Sequence, residues 1–162
     1  MRGNDKVLKC LSEALKAELT AINQYFLHAK MCENWGYSRL GAYYRKESIE
    51  EMVHAEKLMN RILFLDGAPN MTDIGSINVG KNVKAQFESD LALEMHASKQ
   101  LNEAIKIATE VADNASRALF EEILKDEEEH IDHLEGQLHA IAEMGLENYL
   151  AQQLHKGEEE ED

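Results

Sequence analysis

The chain has 162 residues, which suits one domain with a substantial core, and a formal net charge of −14. Aromatic residues make up only 6% of it and there is a single proline, a composition that favours helices over a β-sandwich or a β-barrel. The acidic balance excludes a phosphate-binding surface for nucleic acid and favours cations as partners.

The sequence also indicates where in the cell the protein is located. No apolar segment approaches the length of a membrane span, and the first residues lack the apolar core of a secretory leader. The two cysteines, Cys10 and Cys32, fall in one predicted helix about 33 Å apart, which is too far for a disulfide. Because unpaired thiols are typical of a reducing cytosol, we expect a cytoplasmic protein that binds neither membrane nor nucleic acid.

Apolar residues recur every three or four positions in four long segments, so the chain is predicted to be all-α. Asn4 is placed to cap the first helix, and a short fifth helix follows Gly145. The stretch 158–162 is expected to be a disordered acidic tail outside a single domain of residues 1–157. The predicted helices run from the Asn4 cap to residue 34, and over residues 38–65, 81–111, 115–144 and 146–155.

The lengths of the connections predict the topology. Short turns make the first two helices antiparallel, and likewise the third and fourth. The connection at 67–81 reaches about 50 Å when extended, whereas the second helix is about 40 Å long. This segment can therefore cross the whole bundle and leave the second and third helices parallel.

Six polar side chains interrupt the apolar faces of the four long helices. Glu18 and Glu94 stand where the spacing predicts a core leucine. On the second and fourth helices a Glu and a His are three residues apart, so both point to one side. Each residue of the first half has its counterpart 76 positions later: Glu18 and Glu94, Glu51 and Glu127, His54 and His130.

This duplicated register indicates two similar hairpins whose polar residues meet at one point. A surface position would be ordinary for any single glutamate, but not for six residues on four apolar faces. Buried carboxylates need counter-charges, and no Lys or Arg lies beside them on these faces, so two divalent metal ions are expected. Carboxylate and imidazole ligands suit iron or manganese, and this ligand set is that of di-iron and di-manganese carboxylate proteins.

The same pattern assigns a place to each ligand. We expect open positions between the two metal ions to accept O2 or hydrogen peroxide. The expected bridging residues are Glu51 and Glu127, with Glu18 and His54 completing one site and Glu94 and His130 the other.

The sequence resembles the bacterioferritins over almost its whole length. Matching segments are AELTAINQY at 17–25, EEMVHAE at 50–56, LDGAPN at 65–70, DEEEH at 126–130 and GLENYL at 145–150. The resemblance implies a ferritin-like four-helix bundle with a long crossover. It also implies a ferroxidase that oxidises Fe(II) at a di-iron centre, a hollow shell of 24 subunits that stores ferric mineral, and a small iron–sulfur ferredoxin as partner for iron release.

Two further residues take a role from this resemblance alone. Met52 matches a methionine that ligates a haem, of b type or a related porphyrin, between two subunits. Periodicity by itself makes it an ordinary outward-facing methionine beside Ile49 and Met59. Tyr25 lies on the inward face two turns after Glu18, either as a core tyrosine or, by resemblance, as an electron donor beside the irons.

The chain departs from some relatives on the second helix, where Lys46 and Glu50 replace a His and an Asp that bind an extra iron. The resemblance therefore does not decide whether this chain has that extra iron site. His133 stands where some relatives have Trp. The other histidines are expected at the surface: His28, His96, His139 and His155.

Other interpretations remain at this stage. A rubrerythrin-like di-iron peroxidase or oxidase usually adds a Cys-rich iron module, which this sequence lacks. A DNA-protecting mini-ferritin binds iron between subunits, and the net charge disfavours DNA. A metal-free helical scaffold is a third alternative, and metal analysis of the purified protein would distinguish it from the other two. The sequence also leaves open whether the shell contains this subunit alone or a paralogous subunit as well.

Overall fold

The computed structural model describes residues 1–154. Within them the regular structure is helical, with no β-strand, which confirms the predicted all-α fold. None of these helices combines the length and apolar character that crossing a membrane requires. The predicted tail, the boundary at residue 157 and His155 lie outside the described residues. The helices are α1 (Asp5–Asn34), α2 (Ser38–Phe64), α3 (Val83–Glu110), α4 (Asn114–Met144) and α5 (Leu146–Ala151).

Side-chain caps set where three of the helices begin, and at α4 the cap is Asp113, which accepts from the N–H of Ser116 at 3.0 Å. The Asn4 side chain accepts a hydrogen bond from the Lys6 N–H at 2.9 Å, as predicted for a capping residue. Asn82 caps α3 in the same way and accepts from the N–H of Ala85 at 2.9 Å. This cap explains why α3 begins at Val83 and not at the predicted residue 81.

The fifth helix is shorter than predicted, because it ends at Ala151 and not at residue 155. The chain turns there: the N–H of Gln153 donates to the carbonyl of Leu150 at 2.9 Å. The carbonyl of Gln153 in turn accepts from the N–H of Arg39, at 3.2 Å. Arg39 lies in the first turn of α2, which has no side-chain cap, so this turn provides a partner that the start of α2 otherwise lacks.

Two clusters of buried side chains fill the bundle. Burial of each large apolar side chain contributes about 1.5–3 kcal/mol, so the clusters fix how the helices pack. The aliphatic cluster consists of Val7, Cys10, Leu11, Ala14, Leu15, Leu19, Ala55, Leu58, Ile62, Leu65, Leu101, Ala104, Ala108, Phe120 and Ile123. The aromatic cluster consists of Ala21, Tyr25, Ala29, Cys32, Leu40, Tyr44, Val83, Phe87, Leu134, Ile141 and Tyr149.

The clusters give the direction of each helix. α1 and α4 run from the aliphatic to the aromatic cluster, whereas α2 and α3 run the opposite way. α1 packs against α2 and α3, and α4 packs against α3 and α2. The second and third helices are therefore parallel, and the crossover between them (residues 65–82) spans the bundle as predicted.

Three polar side chains of α1 hold this crossover. Thr20, Gln24 and His28 are four residues apart and share one face of the helix. Each accepts a hydrogen bond from a backbone N–H of the crossover: Gly75 at 2.9 Å, Asn78 at 3.1 Å and Gly80 at 3.1 Å. These bonds satisfy main-chain donors along an extended segment that has no helix or sheet to pair them.

His28 is fully buried, so the expectation that it lies at the surface is wrong. Its Nε2 accepts from Gly80, which leaves Nδ1 to donate to Asp90 at 3.1 Å. Asp90, also fully buried, accepts a second bond from Gln24 at 2.7 Å. His28 is therefore the centre of a closed polar network. His96 and His139 are exposed, as predicted.

We expect His28→Ala to lower the free energy of unfolding by about 3 kcal/mol, because it leaves the Gly80 N–H and part of the Asp90 carboxylate unpaired in the interior. Denaturant titration of the metal-free protein measures this change. The exposed control His139→Ala should stay within about 0.5 kcal/mol of the parent. Equal losses for the two variants would contradict the role given to His28.

Candidate metal centre

The six predicted ligands meet in the interior of the bundle. Each of them is 7% exposed or less. On α2, α3 and α4 they lie between the residues of the aliphatic cluster and those of the aromatic cluster, and on α1 Glu18 lies next to Leu19, the last aliphatic residue before the aromatic cluster begins at Ala21. The site is therefore a polar layer closed on both sides by packed apolar side chains. Its members are Glu18, Glu51, His54, Glu94, Glu127 and His130.

Their ligand atoms form two overlapping groups. Within each group, one atom from every residue lies within 4.8 Å of the others. Glu51 and Glu127 belong to both groups, which is the arrangement expected of bridging residues. The first group is Glu18, Glu51, His54 and Glu127, and the second is Glu51, Glu94, Glu127 and His130.

Both imidazoles turn the same ring nitrogen toward the carboxylates. His54 Nδ1 lies 3.1 Å from Glu127 Oε1 and 3.7 Å from Glu18 Oε1. His130 Nδ1 lies 3.0 Å from Glu51 Oε1 and 3.5 Å from Glu94 Oε1. Nδ1 is thus the nitrogen that each histidine offers to a metal ion.

Several inward-facing atoms of this layer are buried and have no hydrogen-bond partner. Native interiors rarely leave so many polar atoms unpaired at one place. Two divalent cations would satisfy them and balance four carboxylates, so the donor set fits two ions of the iron or manganese type. The atoms are Glu18 Oε2, Glu51 Oε1 and Oε2, Glu127 Oε1, His54 Nδ1 and His130 Nδ1.

Without metal, the layer is predicted to hold protons. Burial, together with the charges of Glu51 and Glu127, raises the pKa of Glu18 well above its ordinary value. Burial and the charge of Glu127 raise the pKa of Glu94 in the same way. Burial alone would lower the pKa values of the imidazoles. For His54, contacts with Glu127 and Glu18 outweigh burial and raise the pKa well above its usual range, and carboxylates do the same for His130.

Glu51 differs from the other two glutamates. Burial opposes its ionisation, but contacts with Glu18, His130 and His54 outweigh burial and lower its pKa. The fully buried centre of the layer is therefore a carboxylate, surrounded by groups that carry protons. Because metal ligands must be deprotonated, binding of metal ions must release these protons.

Tyr25 adjoins the layer on the side of the aromatic cluster. It is 1% exposed, and its hydroxyl donates a short hydrogen bond to Glu94 Oε1. Burial and the charge of Glu94 raise the pKa of the phenol well above its ordinary value, so it keeps its proton. Its ring stacks on that of Tyr44 at 6.1 Å between centroids. Tyr25 is thus placed in contact with a predicted ligand, and its role as an electron donor stays a prediction.

The structure brings three carboxylates to this site that sequence reasoning did not assign to the histidines. Asp126 Oδ2 lies 2.8 Å from His54 Nε2. Glu47 Oε2 lies 2.8 Å from His130 Nε2, and Glu50 Oε2 lies 3.3 Å from the same nitrogen. A cavity of about 480 Å³ on the α2–α4 side is lined by these residues. Glu50 and Asp126 are 76 positions apart, as the paired ligands are. The sequence repeat could therefore have indicated that these two carboxylates lie near the histidines.

Met52 and Lys46 lie away from this layer. The Met52 side chain is 55% exposed on the outer face of α2, as its periodicity predicted, and Ile49 beside it is exposed as well. Lys46 is also exposed, so the ligand atoms that come together near Glu50 are those of Glu47 and His130.

The chain matches the model of the ferritin-like domain over residues 8–144. It is 51% identical over 152 residues to a bacterioferritin of Mycobacterium leprae (strain TN), covering 94% of this chain and 96% of the relative. It is 50% identical, over the same shares, to bacterioferritin BfrA of Mycobacterium tuberculosis (strain H37Rv). A bacterioferritin of Brucella melitensis biotype 1 is 46% identical and is covered over 92% of its length.

The chain belongs to the bacterioferritin family. Membership confirms the resemblance found in the sequence, and the ferritin-like match spans all four long helices. The similarity to named bacterioferritins also favours this family over the rubrerythrin-like and mini-ferritin alternatives.

We expect the unfolding free energy of the metal-free protein to fall as the pH rises from about 5 to 8. Glu18 and Glu94 have pKa values raised above 4.5, and His54 and His130 have values raised above 6.5, so the folded state binds more protons throughout this range. Each additional proton makes the free energy of unfolding fall by about 1.4 kcal/mol per pH unit. Denaturant titrations at several pH values, with a chelator present, measure the slope.

The double variant Glu18→Gln/Glu94→Gln serves as the control. It removes two of the proton-binding groups, so its slope between about pH 5 and 5.5, below the titration of an unfolded-state histidine, should be much smaller than that of the parent. An unchanged slope in this variant would show that the pH dependence arises elsewhere.

Proposed function

We propose that this protein oxidises Fe(II) to Fe(III) and stores the iron as a ferric mineral inside a hollow shell of 24 subunits. The observation that carries the proposal is the pair of overlapping ligand groups with unpaired inward-facing atoms, in a chain of the bacterioferritin family. Membership of the bacterioferritin family supports the storage role, and the buried ligand layer supports the oxidation. The substrate is Fe(II), and the electron acceptor is O2 or hydrogen peroxide.

Each residue of the layer has a defined part in holding two irons. Glu51 and Glu127, which belong to both ligand groups, would help to hold both irons. Bound iron supplies the one-electron chemistry that the protein's own side chains lack. Four carboxylates match the four positive charges of two ferrous ions, so loading needs no external counter-ion. The two terminal pairs are Glu18 with His54, and Glu94 with His130.

The residues around the ligand layer also suit the oxidation of Fe(II). The aliphatic and aromatic clusters close it at both ends and exclude water there, and the cavity on the α2–α4 side gives Fe(II) an approach. Tyr25 is the residue we assign as electron donor, because its hydroxyl already contacts Glu94, which can accept the phenolic proton. The acidic surface, with a net charge of −14, concentrates Fe(II) around the molecule.

We also propose a haem between two subunits, which Met52 of each subunit would hold through its thioether. The support is that an exposed thioether lies on an apolar part of the surface next to exposed Ile49. Two thioether ligands would favour reduced iron, which suits electron delivery for iron release. A small iron–sulfur ferredoxin is the proposed donor, and the porphyrin is of b type or related.

The remaining parts of the proposal concern assembly and location. We propose a shell built from copies of this chain, alone or with a paralogous subunit. The two free cysteines are both buried, and thiols of this kind suit the cytoplasm.

Removal of a bridging ligand tests the oxidation centre. In Glu127→Ala the initial rate of Fe(II) oxidation should fall by on the order of 100-fold, because both iron positions lose an oxygen. Assembly should be retained, since the side chain is inside the subunit. Stopped-flow absorption after Fe(II) addition gives the rate, and gel filtration gives the size.

His130→Ala should behave like Glu127→Ala in both measurements. Glu128→Ala changes an exposed neighbour on the same helix and should oxidise Fe(II) at the parent rate. Fast oxidation in Glu127→Ala, or elution of the parent chain near the size of a monomer or dimer, would refute the oxidation or the storage part of the proposal respectively.

A second test addresses the haem. Met52→Leu should purify without the haem absorption band while retaining Fe(II) oxidation, because the residue lies outside the buried layer. Met95→Leu is a matched control, since both methionines are 55% exposed. A haem spectrum in Met52→Leu that equals that of the parent would remove Met52 as a ligand.

A further inference from the structure

The outer nitrogens of the two histidines face carboxylates that come from the opposite helix. His54 on α2 contacts Asp126 on α4 through Nε2, at 2.8 Å. His130 on α4 contacts Glu47 on α2 through Nε2, also at 2.8 Å. In both residues Nδ1 faces inward, toward the proposed iron positions.

This geometry fixes the proton on the imidazole. A carboxylate only accepts hydrogen bonds, so the Nε2 atom that faces it must carry the proton. The lone pair of a neutral imidazole is then on Nδ1, where a metal ion would need it. The outer carboxylate thus holds both the tautomer and the orientation of the ring.

The two histidines differ in how many carboxylates hold them. Among the described residues, Asp126 is the carboxylate within 4.0 Å of His54 Nε2. His130 Nε2 has two, Glu47 at 2.8 Å and Glu50 at 3.3 Å. Asp126 and Glu50 are counterparts at the offset of 76, whereas the counterpart of Glu47 is Ile123. The duplicated register is therefore broken in the layer outside the ligands.

We propose that Asp126 is the positioning residue of the iron position at His54, and that Glu50 and Glu47 share this role at His130. The inference rests on the proposed metal centre. It assigns to these carboxylates a function through the histidines and not through direct ligation. Loss of Asp126 should weaken one of the two bound metal ions, whereas loss of Glu129, which lines the same cavity but is not within 4.0 Å of either Nε2 atom, should leave both unchanged.

The alternative hypothesis, that these carboxylates act only through their negative charge, predicts a different result. The Asp126 side chain is 43% exposed, and Glu129 is an exposed acidic residue that lines the same cavity. If they acted only by attracting cations, neutralising either of them would have the same effect. The pair is therefore a control contained within the chain.

The experiment is a titration of the metal-free protein with Co(II), followed by the visible absorption of the bound ion. The parent should bind two Co(II) per chain. In Asp126→Asn, one of the two should bind 10- to 100-fold more weakly, the usual effect of losing an outer partner of a metal-binding histidine. Glu129→Gln should keep both affinities and the parent spectrum. Glu47→Gln/Glu50→Gln should weaken the other ion.

The unfolding temperatures of the metal-free variants provide a second measurement. Asp126→Asn and Glu129→Gln should both remain folded at the temperature of the titration, because each alters a solvent-accessible side chain without changing its shape. Equal weakening of Co(II) binding in these two variants, or none in Asp126→Asn, would overturn the inference and leave the proposed function standing. A parent chain that bound no Co(II) would overturn both.

Discussion

The electrostatic cost of burying four carboxylates and two imidazoles in one layer is the constraint on which the rest of this structure depends. The layer divides the core into an aliphatic and an aromatic cluster, and each long helix carries its polar residues at the same level. Protons can offset part of the charge, as the raised pKa values of Glu18 and Glu94 indicate. Two divalent ions would offset all of it and pair the atoms that protons leave unpaired.

The two hairpins share a register but not their surroundings. The ligands repeat at an offset of 76, and so do Glu50 and Asp126, whereas four other polar side chains of the first hairpin have apolar counterparts in the second. The hydroxyl of Tyr25 donates to Glu94, and Glu50 is hydrogen-bonded to His130, so the position at Glu94 and His130 has more hydrogen-bond partners than the position at Glu18 and His54. Duplication therefore explains why two iron positions exist, and divergence explains why they are not equivalent. The apolar counterparts are Leu101 for Tyr25, Ala104 for His28, Phe120 for Tyr44 and Ile123 for Glu47.

The sequence predicted the elements that depend on local periodicity. The four helices, the crossover and the inward position of the six ligands follow from apolar spacing and from the repeat, because both act through helical geometry. Sequence reasoning failed where the hydrogen-bond partner of a residue is distant in the chain. His28 was expected at the surface because its partner Asp90 is 62 positions away, and the end of α5 depends on a bond to Arg39 in another helix. Asp126 and Glu47 were missed for the same reason, since a charged residue on a helix ordinarily faces solvent.

The central claim is that two metal ions belong in the buried layer. The most direct measurement is a crystal structure of the protein grown without oxygen in ferrous salt, with an anomalous difference map recorded at the iron absorption edge. The account predicts two peaks per subunit, on either side of the carboxylates of Glu51 and Glu127, with Nδ1 of each histidine directed at one of them. A map without peaks in this layer, with the six side chains directed away from one another, would contradict it.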